Sequence, residues 1–96
     1  MAALTLTSPR QRPLRPLIEA AIHNELRLLQ TGIWRTEQRL ETFERQHGLS
    51  SKEFLRRYEN DELTETLEFA EWVGEYRLLE RLREKVDTLQ EIRFAN

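Results

Sequence analysis

The chain has 96 residues, enough for one small domain, and its net charge is −2, with 33% charged and 39% hydrophobic residues. It contains no cysteine, which excludes a disulfide scaffold, thiolate zinc sites and a cysteine nucleophile. No apolar run approaches the roughly 18 residues that cross a bilayer, and no early basic residues suggest a secretory signal. We therefore expect a cytoplasmic protein without membrane association.

An N-terminal arm is predicted for residues 1–16, which contain all three prolines of the chain, Pro9, Pro13 and Pro16. Proline lacks an amide donor and fixes φ, so this stretch suits neither an interior helix nor a central strand. The arm carries basic residues and no acid, whereas residues 17–96 are acidic overall. The arm arginines could touch nucleic-acid phosphates, although three charges give only a weak, salt-sensitive contact, and a plain disordered tail is the alternative. These arginines are Arg10, Arg12 and Arg15.

A long helix is predicted from Leu17 to about His47, since apolar positions recur at alternating steps of four and three residues. This spacing is a heptad seam, which favours packing along another helix at a shallow angle. Gly32 interrupts the helix and indicates either a close approach of a neighbouring helix or a kink. Gly48 is predicted to end the helix in the left-handed conformation. The seam consists of Ile22, Leu26, Leu29, Ile33, Thr36, Leu40, Phe43 and His47.

Two further helices are predicted after Gly48. Ser50, with Glu53 at capping-box spacing, begins a short helix from about Ser51 to Tyr58. Thr64 or Thr66 then caps a third helix that continues to about Arg93. Its apolar stripe has a period close to 3.6 residues and consists of Phe69, Trp72, Val73, Tyr76, Leu79, Leu82, Val86 and Leu89.

The predicted fold class is all-α. Residues 17–96 form a long antiparallel helical hairpin with a short helix in its corner, and two such hairpins could pair into a four-helix bundle. No catalytic set, cofactor motif or metal-ligand cluster accompanies the two histidines, His23 and His47. His47, just before Gly48, is expected to be a capping or surface residue. We therefore predict that the protein is not an enzyme.

Acidic residues follow one another from Glu59 to Glu75 without an intervening lysine or arginine. Such a run indicates either a solvated helix face or an acidic surface that docks on a basic groove, while paired-carboxylate catalysis lacks a recognisable pocket. Aromatic residues at helical spacing are predicted to be core, and Trp72 and Tyr76 are interpreted first as core and second as partner contacts. The aromatic set is Trp34, Phe43, Tyr58, Phe69, Trp72 and Tyr76. The predicted partner-binding residues are Tyr58, Glu62, Glu65, Glu68, Glu71, Trp72 and Tyr76.

The segment from Leu49 to Ile92 resembles small helical proteins that prokaryotic genomes encode just upstream of toxins similar to the TumE family. The resemblance rests on a Ser-capped helix with Glu-Phe and Tyr58, a Glu-Leu turn at Glu62, an acidic segment ending in Glu71-Trp72, and a Leu-rich helix. The family often has Gly-Glu-Leu at the turn, where this chain has Asp61-Glu62-Leu63. The resemblance implies the antitoxin-like member of a toxin–antitoxin pair.

Three functions remain open from the sequence. The first is a protein-binding module that neutralises a cognate toxin, for which a ribonuclease is one candidate. The second is a self-associating coiled-coil or bundle protein that forms a homodimer or a higher homo-oligomer. The third is a dimeric nucleic-acid-binding regulator that uses the arginine arm. The heptad seam favours the first two equally, while the acidic body disfavours the third.

Overall fold

The computed structural model describes residues 3–9 and 12–94, and the predicted arm residue Arg10 lies outside them. Three helices follow in chain order: α1 (Leu14–His47), α2 (Ser51–Glu59) and α3 (Leu67–Gln90). Helices α1 and α3 lie side by side as an antiparallel pair with α2 in the corner, so the predicted all-α hairpin is confirmed. The described part of the chain has no strand. Within it, no helix is both long and apolar enough to pass through a membrane.

Helix α1 begins at Leu14 rather than at the predicted Leu17. Pro16 lies in its first turn, where backbone amides have no intrahelical acceptor and the missing donor costs nothing. The helix then continues through Gly32. A Cβ placed on Gly32 would lie 3.4 Å from Leu82 Cδ1 of α3. Of the two interpretations of Gly32, the close approach of a neighbouring helix is therefore the one that the structure supports.

The predicted helix caps explain where the chain turns at the corner of the hairpin. Gly48 adopts φ 61°, and its amide and that of Leu49 both donate to the Glu44 carbonyl. Ser50 Oγ accepts the Glu53 amide and begins α2. Of the two candidate caps for α3, Thr66 is the one that accepts the Phe69 amide. These local hydrogen bonds satisfy helix-end groups and fix where the chain reverses.

Replacing Gly48 with alanine is expected to destabilise the fold by about 1 kcal/mol, because a Cβ disfavours the left-handed conformation. No atom lies within 4 Å of the position of that Cβ, so a steric clash should not add to this cost. Urea unfolding followed by circular dichroism measures the effect. Gly74→Ala is the matched control, since Gly74 is also unobstructed but helical, and it should stabilise the protein instead. Equal effects of the two substitutions would contradict the argument.

The core lies along the seam between α1 and α3 and is widest at the corner. Thr36, a polar seam position, is buried with the apolar residues. Helix α2 adds one fully buried ring, Phe54, against the base of α3. The molecule is elongated, measuring 60 × 25 × 18 Å. The buried apolar residues are Leu29, Leu40, Phe54, Trp72, Leu79 and Val86.

The two flanks of the hairpin differ. On one, Glu37 pairs with Arg83 at 3.1 Å, and Glu44, two turns further along α1, accepts the amide of Ser51 in α2 at 2.7 Å. We call this the covered flank, because α2 lies against it. On the other, Arg39 pairs with Glu75 at 3.3 Å. No described helix covers this second side, which we call the open flank.

Candidate partner-binding site

Trp72 is the centre of the corner. Its side chain is 0% exposed, lies parallel to the Phe54 ring at 3.8 Å between centroids, and stacks on Phe43 from a different element. Its indole nitrogen donates to Ser51 Oγ at 2.9 Å. The core role predicted for Trp72 is confirmed. Its predicted role as a partner contact does not hold for this fold, since no part of the side chain reaches the surface.

His47 and Glu68 close the corner between α1 and α3. Their Nε2 and Oε1 atoms lie 2.9 Å apart. The His47 ring also meets the edge of Phe69 and stacks on Trp72. Glu68, predicted as a partner contact, is therefore already engaged within the chain. A substitution at Glu68 would change the packing of the corner as well as its surface.

Two more predicted contacts have partners inside the chain. Tyr58 donates its hydroxyl to Glu65 Oε1 at 2.8 Å. This hydrogen bond raises the pKa of Tyr58, because the phenol must stay protonated to donate it. Glu62 lies 3.4 Å from Arg56. The acidic run is thus partly neutralised by a basic side chain of α2 that lies outside the run. Tyr76 is half-buried against the core.

Glu71 differs from these carboxylates, since it has no hydrogen bond or ion pair within the described residues. It lines a shallow groove on the open flank together with Glu75 and Phe43. Glu75 uses one carboxylate oxygen for Arg39, while its other oxygen, Oε2, is buried without a hydrogen-bond partner. The groove therefore presents the Glu71 carboxylate, which no side chain of the described residues binds.

Glu53 is a carboxylate whose pKa lies well below its ordinary value. Hydrogen bonds from Arg56 and then Arg57 lower its pKa from 4.5 to about 2. Its charge is therefore expected to stabilise the fold above pH 4.5, and this contribution should be lost as the pH falls from 4.5 towards 2. Carboxylate titration by NMR measures the pKa directly. Glu53→Gln should flatten the stability curve in this window, and an unshifted Glu53 titration would contradict the expectation.

The turn before α3 brings two predicted partner-binding residues, Glu62 and Glu65, next to an exposed leucine that the sequence analysis did not single out. Asp61 adopts φ 55°, a left-handed conformation, at the position where the resembling proteins often have glycine. Leu67, the first residue of α3, is 78% exposed. We define the bend surface as Asp61, Glu62, Glu65 and Leu67. Leu67 could have been found from the sequence, because it is a large apolar residue that lies outside the predicted stripe.

The remaining predicted positions do not form one site. Arg15 lies in α1, pairs with Glu19 at 2.8 Å and covers the Phe94 ring. Arg12 is exposed near the start of α1. Trp34, predicted among the core aromatics, is 62% exposed, because it lies outside the seam of α1. Among residues 3–9 and 12–94, no group of three or more histidine, aspartate or glutamate side chains is placed to hold a metal ion.

Comparisons with known proteins give no match: no family model, no curated protein and no solved structure is significantly similar to this chain. The interpretation of the site therefore rests on the chain itself.

Proposed function

We propose that this chain is a non-catalytic protein-binding module that acts as an antitoxin. In this proposal the bend surface covers a basic surface of a cognate toxin. The observation that carries the proposal is Leu67, whose side chain is 78% exposed next to a turn with three carboxylates. The specific form of the function comes from the resemblance of residues 49–92 to antitoxin-like proteins.

The chemistry of the bend surface supports this function. A large apolar side chain at the fixed start of a helix buries area on binding without ordering a mobile segment. Carboxylates around it favour a basic partner and suppress acidic ones. If the toxin is a ribonuclease, its substrate groove is positively charged, since it must bind phosphates. An acidic surface that fills such a groove would block RNA without any catalytic group.

The test is to co-express the chain with the polypeptide encoded immediately downstream of its gene. Growth of the cells and the Kd of the purified pair are the two measurements. Leu67→Glu should raise Kd by roughly 100-fold and abolish protection, because it places a charge where the partner requires an apolar contact. Leu17→Glu is the matched control, since Leu17 is 67% exposed at the opposite end of α1, and it should change neither measurement.

A second variant tests the charges. Asp61→Asn, Glu62→Gln and Glu65→Gln together remove three charges while keeping the shape of the turn, since asparagine also accepts the left-handed conformation at position 61. This variant should bind about tenfold more weakly and with less dependence on salt. Failure of the wild-type chain to bind or protect against its neighbour would refute the antitoxin proposal. Equal Kd values for wild type and Leu67→Glu would refute the bend surface.

A further inference from the structure

The open flank combines apolar residues with charges that find no partner in the chain. On α1, Gly32 is followed by Arg35 and preceded by Leu28 and Glu25, so that these residues recur at steps of three and four on one helix face. Leu28 is 57% exposed. Glu25 and Arg35 have no ion pair or hydrogen bond within the described residues.

Helix α3 presents a matching strip on the same flank. Leu82 lies beside Gly32, and Glu75 pairs with Arg39. These two neighbours show that the residues of both helices lie on the same flank. Leu78 lies between Glu75 and Leu82 at helical spacing and is half-buried, although no described helix covers it. Lys85 follows Leu82 by three residues, is exposed, and has no partner within the described residues.

We propose that the open flank binds the open flank of a second copy of this chain, around a two-fold axis parallel to the helices. With such an axis, a given residue lies at the same height, that is, the same position along the helix direction, in both copies. Helix α3 of one copy then packs against α1 of the other. The heights are set by two neighbours within the chain: a Cβ placed on Gly32 would lie 3.4 Å from Leu82 Cδ1, and Arg39 pairs with Glu75 at 3.3 Å. The product is a four-helix bundle built from two hairpins.

Charge complementarity favours this axis. It brings Glu71 of one copy about one helical turn from the height of Arg39 of the other, so that the Glu71 carboxylate gains a cationic neighbour. Lys85 comes within one turn of the second copy's Glu25. The arrangement therefore gives partners to Glu71, Lys85 and Glu25, which have none within the described residues of one chain.

The apolar residues meet in the same arrangement. Leu82 lies at the height of Gly32 of the other copy, about one helical turn from its Leu28, and Leu78 lies about one turn nearer the corner. Helix α3 contributes 24 residues, or about 36 Å, to the length of this face.

The first test is the mass of the chain in solution, by light scattering across concentration. We expect twice the mass of one 11.6 kDa chain. Leu28→Glu should raise the dimer Kd by roughly 100-fold or more, because it buries a charge against leucine. Trp34→Glu is the matched control, since Trp34 is similarly exposed on another face of α1, and it should leave Kd unchanged. A monomer at concentrations up to about 1 mM, or dissociation by the control alone, overturns the proposal.

A charge exchange tests the pairing. Lys85→Glu and Glu25→Lys alone should each weaken the dimer about fivefold, and the double variant should recover the wild-type Kd. Helix content by circular dichroism should stay constant in all three, because both side chains are exposed. No recovery in the double variant overturns the pairing of Lys85 with Glu25.

The direction of the axis has its own test, which is simple because the chain lacks cysteine. A single spin label on Lys52→Cys reports the distance between the two corners. The proposed axis places both corners at the same end of the dimer, so the distance spans the width of the bundle and not its length. A distance approaching the length of the molecule would show the reversed arrangement and overturn the axis. These tests need no toxin, so their outcome is independent of the proposed function.

Discussion

Replacing Trp72 with alanine is expected to unfold the protein or leave it barely folded. The substitution empties the most buried side chain of the corner and removes the ring that stacks between Phe43 and Phe54. It also leaves Ser51 Oγ without its indole donor. Such truncations cost about 3–5 kcal/mol, which approaches the whole stability of a small domain. Thermal and urea unfolding, followed by circular dichroism at 222 nm (a helix signal), measure the loss.

The chain provides the control for this experiment in its other tryptophan. Trp34→Ala removes an equally large side chain that is 62% exposed, so its effect on unfolding should stay within about 0.5 kcal/mol. The Trp34→Ala protein also isolates the fluorescence of Trp72, which should resist quenching by acrylamide until the fold opens. A quenchable Trp72 in the folded protein, or equal stability losses for the two alanine variants, would contradict the assignment of Trp72 to the core.

The helices and their ends could be predicted because local chemistry decides them. Gly48, Ser50 and Thr66 each act within one turn of their own helix, and each cap is seen where the sequence predicted it or at one of two predicted positions. The heptad seam also held at its polar member Thr36, which is buried. The seam was predicted from the spacing of several apolar positions together, so one hydroxyl among them did not change the prediction.

The candidate surface was harder to predict, because long-range contacts decide which side chains remain available. The acidic run contains no base in sequence, yet α2 and α1 supply Arg56 to Glu62, His47 to Glu68 and Arg39 to Glu75. No pattern within the run indicates these partners. Exposed residues that can be identified from their position on a helix, such as Leu67 outside the stripe, could in principle have been predicted from the sequence. The pairing of charges between helices could be identified only from the folded structure.

Helix α2 depends on one side chain, and Phe54→Ala is expected to release it. Phe54 is 1% exposed and contacts Trp72 and Phe69 of α3, whereas the outer positions of this nine-residue helix are charged and solvated. An isolated helix of this length is not stable in water, so loss of its anchor should let it unfold locally. The cost should be about 3–5 kcal/mol.

Local release of α2 has a signature that distinguishes it from general weakening. Amide hydrogen exchange should become fast in α2 while the amides near Leu29 and Val86, far from the corner, stay protected relative to global unfolding. Trp72 loses the ring that covers one face, so its fluorescence should shift to longer wavelength. Leu67→Ala is the control at the same end of the molecule, because its side chain is exposed and its removal leaves the corner packed. Uniform loss of protection along all three helices would show instead that the corner and the hairpin unfold together, and that α2 is part of one cooperative unit with α1 and α3.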